Sequence, residues 1–146
     1  MPHSAEQGSL NGTIAPIALR FATVLPPAER FAPGEAGAIA LLVRRMAKTP
    51  DVVLGQPPLG QPFADVPFIP VTPLWCPLSK SWRYALAVAR CLKRLMPDGI
   101  EVHNRPDIAL MLRRLLPSLP IMLVLHNNPC GMRRAKTPQE RTKLAK

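Results

Sequence analysis

The sequence predicts an α/β fold, a Rossmann-like parallel sheet with helices on both faces. Three observations predict it. Short apolar runs alternate with segments of helical apolar spacing in the order β-α-β-β-α-β-α-β-α, and such alternation builds a parallel sheet wrapped by crossover helices. Two of the runs stop abruptly at His-Asn, in GIEVHNRP (Gly99–Pro106) and IMLVLHNNP (Ile121–Pro129). The chain has 146 residues, 47% of them hydrophobic, enough to bury the core of one domain. Ligands of open α/β sheets bind outside the carboxyl ends of the strands, so the two His-Asn ends mark neighbouring loops at one sheet edge.

Residues 1–16 are small and polar and are expected to form a flexible leader; residues 17–146 form the domain. Ile17–Leu25 reads as the first strand, stopped by Pro26 and Pro27. A loop to Glu35 precedes a helix over Ala36–Lys48, whose Ile39, Leu42, Val43 and Met46 give an apolar face. Asp51–Leu54 is the second strand, followed by a Pro/Gly/Gln-rich loop, Gly55–Asp65. The internal prolines of the third strand, Val66–Val71, place it at a sheet edge or near a strand end. After a proline-punctuated loop, Ser79 or Ser81 caps a helix that runs to Met96 and is closed by Pro97, Asp98 and Gly99. Its apolar surface is Tyr84, Leu86, Val88, Cys91, Leu92 and Leu95. Ile100–His103 is the fourth strand, and Pro106 suits the N1 position before a short helix, Ile108–Leu116. The fifth strand begins at Ile121; its continuous apolar run predicts a strand covered on both faces. Beyond the basic loop Cys130–Lys136, Thr137, Pro138 and Glu140 supply cap, N1 and N3 of a last helix, which reads as interrupted after two turns.

Composition narrows the function classes. A formal net charge of +10 attracts polyanions: nucleic acid, anionic membrane or phosphorylated ligands. Arg44, Arg45 and Lys48 end one helix and Arg90, Lys93 and Arg94 another, where cations also serve as plain macrodipole partners. Arg133, Arg134, Lys136, Arg141, Lys143 and Lys146 crowd the C-terminal stretch, either as a solvated face or as ligand contacts. Cys76, Cys91 and Cys130 are odd in number and lack a CxxC spacing, so neither a metal site nor a disulfide framework is expected, and reduced cytosolic thiols are. No secretory h-region and no window of membrane-span length occur, which points to a cytoplasmic protein, soluble or peripheral to the inner membrane. An RNA-binding aromatic pattern and a zinc ligand set are missing, which counts against nucleic acid.

Gly34 and Gly37 flank a strand-to-helix turn that exposes backbone N–H groups to an anion, although no Walker A or GxGxxG pattern accompanies them. Glycines placed for close packing are the competing reading. Trp75 and Trp82 flank a proline loop and are expected in the core or as a lid rather than as sugar-stacking platforms. His103 and Asn104 can satisfy turn backbone groups, and His126 either caps its strand end or acts on a ligand.

Three stretches together resemble the N-terminal half of family 4 GT-B retaining glycosyltransferases, bacterial enzymes of lipopolysaccharide and surface-glycan synthesis. They are LPPAERFAPGEAGAIALLVRRMA, GIEVHNRPDIALMLRRLLP and IMLVLHNNPCGMRRAKTPQER. The resemblance implies an acceptor-side domain of a two-domain hexosyltransferase. Its nucleotide-sugar donor would be held chiefly by a second domain with a Glu-x7-Glu motif, which this sequence does not contain. It implies a glycan or lipid-linked acceptor, no metal or other cofactor, and no activity for this half alone. By the same resemblance, His126 is the catalytic-site histidine near donor sugar and pyrophosphate. Gly34, Glu35, Ala36 and Gly37 form the loop near phosphate and acceptor. His103, Asn104 and Arg105 line the acceptor side, with Asn127, Arg133 and Arg134 as further phosphate or substrate contacts. A basic binding module for nucleic acid or anionic membrane is the competing class. A single-domain nucleotide-dependent enzyme with a flavodoxin-like sheet is a third, opposed by the missing phosphate loop and by the lack of paired acids. An incomplete sheet would expose an edge and an apolar face, so poor solubility is expected.

Overall fold

The computed structural model describes residues 18–146; the leader expected over residues 1–16 lies outside them, as does Ile17. Strands β1 (Phe21–Val24), β2 (Val52–Gly55), β3 (Phe68–Pro70), β4 (Gly99–His103) and β5 (Ile121–Val124) form one five-stranded sheet in the order β3-β2-β1-β4-β5. Every pairing is parallel. Helix α1 (Ala38–Met46) joins β1 to β2, α2 (Lys80–Leu95) joins β3 to β4, and α3 (Pro106–Leu115) joins β4 to β5. A single 3-10 turn, Pro129–Gly131, precedes α4 (Pro138–Leu144). The Rossmann-like α/β architecture expected from the alternation of patterns is therefore the observed one. Proline-bearing β3 stands at an edge, where a missing N–H breaks no ladder.

Register sorts the side chains. Ala22 lies beside Val52 and Ile100, and Val24 beside Leu54 and Val102. These six point to one face and pack with Tyr84, Val88 and Leu92 of α2 and Ile108 and Leu112 of α3. Ala85 and Ala89 on α2 present no bulk, so the helix can lie close to the sheet. The opposite face carries Val53, which packs with Leu25, Phe31, Phe63 and the α1 residues Ala40 and Val43. Phe31 meets Phe63 edge-on at 5.0 Å and stacks on Phe68 at 5.3 Å. Each fully buried Leu, Ile or Phe here contributes about 2 kcal/mol. The chain steps outward from β1 through α1 on one face, and back across to β4 and β5 through α2 and α3 on the other. Right-handed crossovers impose that arrangement.

Two expectations are corrected. β5 is not covered on both faces: it is an edge strand whose Met122 is 54% exposed, while Ile121 and Leu123 pack on the α2–α3 side. The continuous apolar run arose from one well-packed face and one open face. α1 covers the β1–β2 half of its side, and among the described residues no helix packs over β4–β5 there. The second correction follows. Of the expected apolar face of α1, Val43 is buried as expected, but Leu42 and Met46 are exposed, Met46 at 56%, and Ala40 is buried in their place. Met46 turns toward the open half of the sheet, where it lines a hollow with Phe21, Glu101 and His103.

Candidate functional site

The sheet order places a topological switch between β1 and β4, since the connection from β1 leads one way and the chain returns on the other side. The loops after these two strands and after β5 converge on the carboxyl edge, where such folds bind ligands.

After β4 the chain turns through Asn104, whose left-handed φ of 55° is one that Asn tolerates. Its N–H donates to the Val124 carbonyl at 2.8 Å, and its Oδ1 accepts the His126 N–H at 2.9 Å. Both His-Asn strand ends are thus locked together. His103 Nδ1 lies 2.8 Å from His126 Nε2, with the rings stacked at 5.1 Å. His103 Nε2 faces the Glu101 carboxylate at 3.4 Å. Glu101 and His103 are two residues apart on a strand and so share a face. A carboxylate can only accept, so His103 keeps its proton on Nε2 and accepts at Nδ1. His126 then donates from Nε2, which leaves its Nδ1 lone pair for a ligand. His103 is 1% exposed whereas His126 is exposed. Burial pushes His103 below the ordinary histidine pKa, against the pull of Glu101. Asn127 follows, exposed, beside the histidine.

The loop after β1 behaves differently from a vacant anion cradle. Gly34 adopts φ +77°, a conformation open to glycine, and the Glu35 carboxylate accepts the Leu59 and Gly60 N–H groups. Those two bonds hold the Glu35 pKa below its usual value. Glu29 Oε2 accepts the Ala40 N–H at 3.3 Å, and a Cβ on Gly37 would strike this carboxylate at 2.7 Å. The N-terminus of α1 therefore already holds an internal carboxylate. Ala36 is half-buried and packs on the α1-side core.

Arg105 closes the β4–α3 loop. Its guanidinium forks onto Asp107 at 2.9 and 2.8 Å and reaches Ser81 Oγ at 2.8 Å. Burial alone would push the Asp107 carboxyl up; the Arg105 bonds and charge outweigh it and hold it below the usual carboxylate range. Arg105, Lys80, Ser81 and Arg83 line a hollow of about 450 Å³ together with Pro27 and Gln56 from the ends of β1 and β2. Arg133 lies on the adjoining hollow, which shares Lys80, Ser81 and Arg105. Arg134 turns elsewhere, with a left-handed φ of 68°, to a separate hollow beside Trp82 and Glu140. Trp82 is half-buried there, but Trp75 is 94% exposed, not a core residue. Its loop follows the edge strand β3, and the Arg83 guanidinium lies 5.4 Å from the ring.

The structure thus brings His103, Asn104 and His126 into one cluster, and Arg105 and Arg133 into a second. Gly34–Gly37 is committed to internal bonds. Glu101, Asp107, Lys80, Ser81 and Arg83 were not foreseen. Glu101 was legible from its i, i+2 relation to His103, and Lys80–Ser81 from the Ser79 cap that precedes them. Among the described residues no group of three or more His, Cys, Asp or Glu residues is placed to hold a metal, and the cysteines are unbridged. No described helix is long and apolar enough to cross a membrane. Comparison of the chain with protein-family models, curated proteins and solved structures finds no match.

Proposed function

We propose that this chain is the acceptor-side half of a two-domain, retaining sugar-transferring enzyme of the GT-B kind. It would present a glycan or lipid-linked acceptor to a nucleotide-sugar held mainly by a facing second domain. The observation that carries the reading is the Glu101–His103–His126 chain at the switch-point edge of the sheet. In such a transfer, negative charge builds on the departing phosphate. An exposed imidazole whose other nitrogen is anchored by a buried partner is suited to meet that charge or its proton. Glu101 and His103 are positioning residues: they fix the tautomer and tilt of His126. The acceptor side needs no resident metal. Because the reaction centre forms between two domains, this half alone has no turnover. A place at the cytoplasmic face of the inner membrane, where lipid-linked acceptors reside, accords with the net charge of +10.

The test is an amide NMR titration of the chain with oligosaccharide acceptors, with a short RNA and anionic vesicles as competing ligands. Oligosaccharides are expected to shift Asn104, Arg105, His126 and Asn127, and His126→Ala to remove the response. Saturable binding of RNA or vesicles, with no oligosaccharide response at these amides, overturns the proposal.

A further inference from the structure

The hollow at the N-terminus of α2 is separate in make-up from the histidine cluster and is cationic. Lys80, Arg83 and Arg105 line it, and Arg133 stands on its continuation. Asp107, the acid on the adjoining hollow, is 4% exposed and spent on Arg105, so the cleft keeps a positive excess. Arg105 cannot swing away: two bonds to Asp107 and one to Ser81 fix its plane. Arg83 is fixed likewise, by a bond to the Leu74 carbonyl at 2.6 Å. Ser79 caps α2 by accepting the Trp82 N–H. Among the described residues the Lys80 and Ser81 N–H groups have no protein acceptor, and both residues line the hollow. Fixed guanidinium groups beside the ammonium of exposed Lys80 suit a phosphate, whose oxygens take several charge-assisted bonds at once. Arg83 of the cleft stands 5.4 Å from the ring of Trp75, an indole that is 94% exposed. A ring carrying a phosphate can lie there with its charge in the cleft.

We propose that this cleft binds a phosphorylated sugar, with the phosphate between Lys80, Arg105 and Arg133 and the sugar ring against Trp75. The proposal rests on the sugar-transfer reading above and names the chemistry of the acceptor. Its test uses the full chain, titrated by calorimetry and amide NMR with glucose 1-phosphate, inorganic phosphate, glucose, and vesicles with and without phosphatidic acid. Glucose 1-phosphate is expected to bind best and to shift Lys80, Ser81 and Arg105. The Lys80→Ala/Arg133→Ala double variant alters no packed group and should weaken binding about tenfold or more, the worth of one or two charge-assisted bonds. Trp75→Ala should weaken glucose 1-phosphate but not inorganic phosphate. The charge-matched control Lys93→Ala/Arg94→Ala, at the far end of the same helix, should change nothing.

Equal loss in the control means diffuse charge attraction and overturns the site. Binding of phosphatidic acid vesicles in preference to glucose 1-phosphate overturns the sugar assignment, as does indifference to Trp75→Ala. If neutral oligosaccharides shift Asn104 and His126 while glucose 1-phosphate leaves Lys80 and Ser81 unmoved, the cleft proposal falls and the transfer reading stands.

Discussion

A buried histidine next to an exposed one makes the site sensitive to protons. His103 sits among Glu101, His126 and the Thr23 and Asp51 side chains of the hollow beneath, and burial lowers its pKa more than Glu101 raises it. Below about 6.5 the unfolded chain takes up a proton that folded His103 refuses. Its contribution to stability is therefore complete above that pH and falls as pH drops toward the folded value. A proton on His103 Nδ1 would also remove the lone pair that accepts across the 2.8 Å contact. NMR titration of the His103 ring carbons should give a midpoint below about 6.5, and His103→Gln should flatten the fall of Tm between about pH 7 and pH 5. A midpoint at or above the ordinary histidine value contradicts this account. At this scale the sequence was legible where residues lie close along the chain. The pairing of the two His-Asn ends could be inferred from the repeated motif, but the contact between the rings could not, because it depends on which strands are neighbours. Occupation of the α1 N-terminus by Glu29 was hidden for a related reason: the carboxylate comes from the preceding loop, at no motif spacing.

Among the elements, α2 does the most to place the candidate site. Its side toward the sheet is fixed by Tyr84, whose hydroxyl donates to the Leu25 carbonyl at 2.7 Å at the end of β1. Its start is fixed by Ser79, so the cap sets the position of Lys80 and Ser81 at the cleft. Ser79→Ala should cost about 1 kcal/mol in denaturant unfolding and weaken glucose 1-phosphate binding at the same time. Loss of stability with binding unchanged would mean that the cap is only a fold element. The helices α1, α2 and α3 also end in basic turns, Arg44–Arg45, Lys93–Arg94 and Arg113–Arg114. Crossover helices run against the strands, so these cations gather at the amino edge, opposite the site, where each pair meets a negative helix end. Much of the net charge thus has a local structural account. The helices and strands themselves were legible because capping and proline chemistry act locally: Ser79, Pro106 at N1 and the Thr137–Glu140 capping box stand where those rules put them. Coverage was not legible, because whether a second layer lies over β5 is decided by distant chain.

For the whole molecule, the open half of the α1 face decides behaviour in solution. Met122, Met46 and Leu42 are exposed on or beside it, and among the described residues β5 is an edge strand along the same flank. Such a surface favours association with another copy through strand edges and apolar contact. Opposing this is the net charge of +10, which repels copies in dilute salt. Salt shortens the reach of that repulsion to about 8 Å at physiological ionic strength, while apolar attraction persists. Self-association should therefore rise with salt, the opposite of what ion-pair contacts would do. Met122→Lys places an ammonium on the bare face directly across from Glu101, its register partner. The cross-strand pair offsets the loss of a half-exposed methionine, so stability should move by no more than about 0.5 kcal/mol. The association seen by sedimentation velocity should fall at every salt concentration. A wild-type chain that stays monomeric from low to high salt would sink this account, and association that weakens as salt is added would assign it to charge rather than to the uncovered sheet.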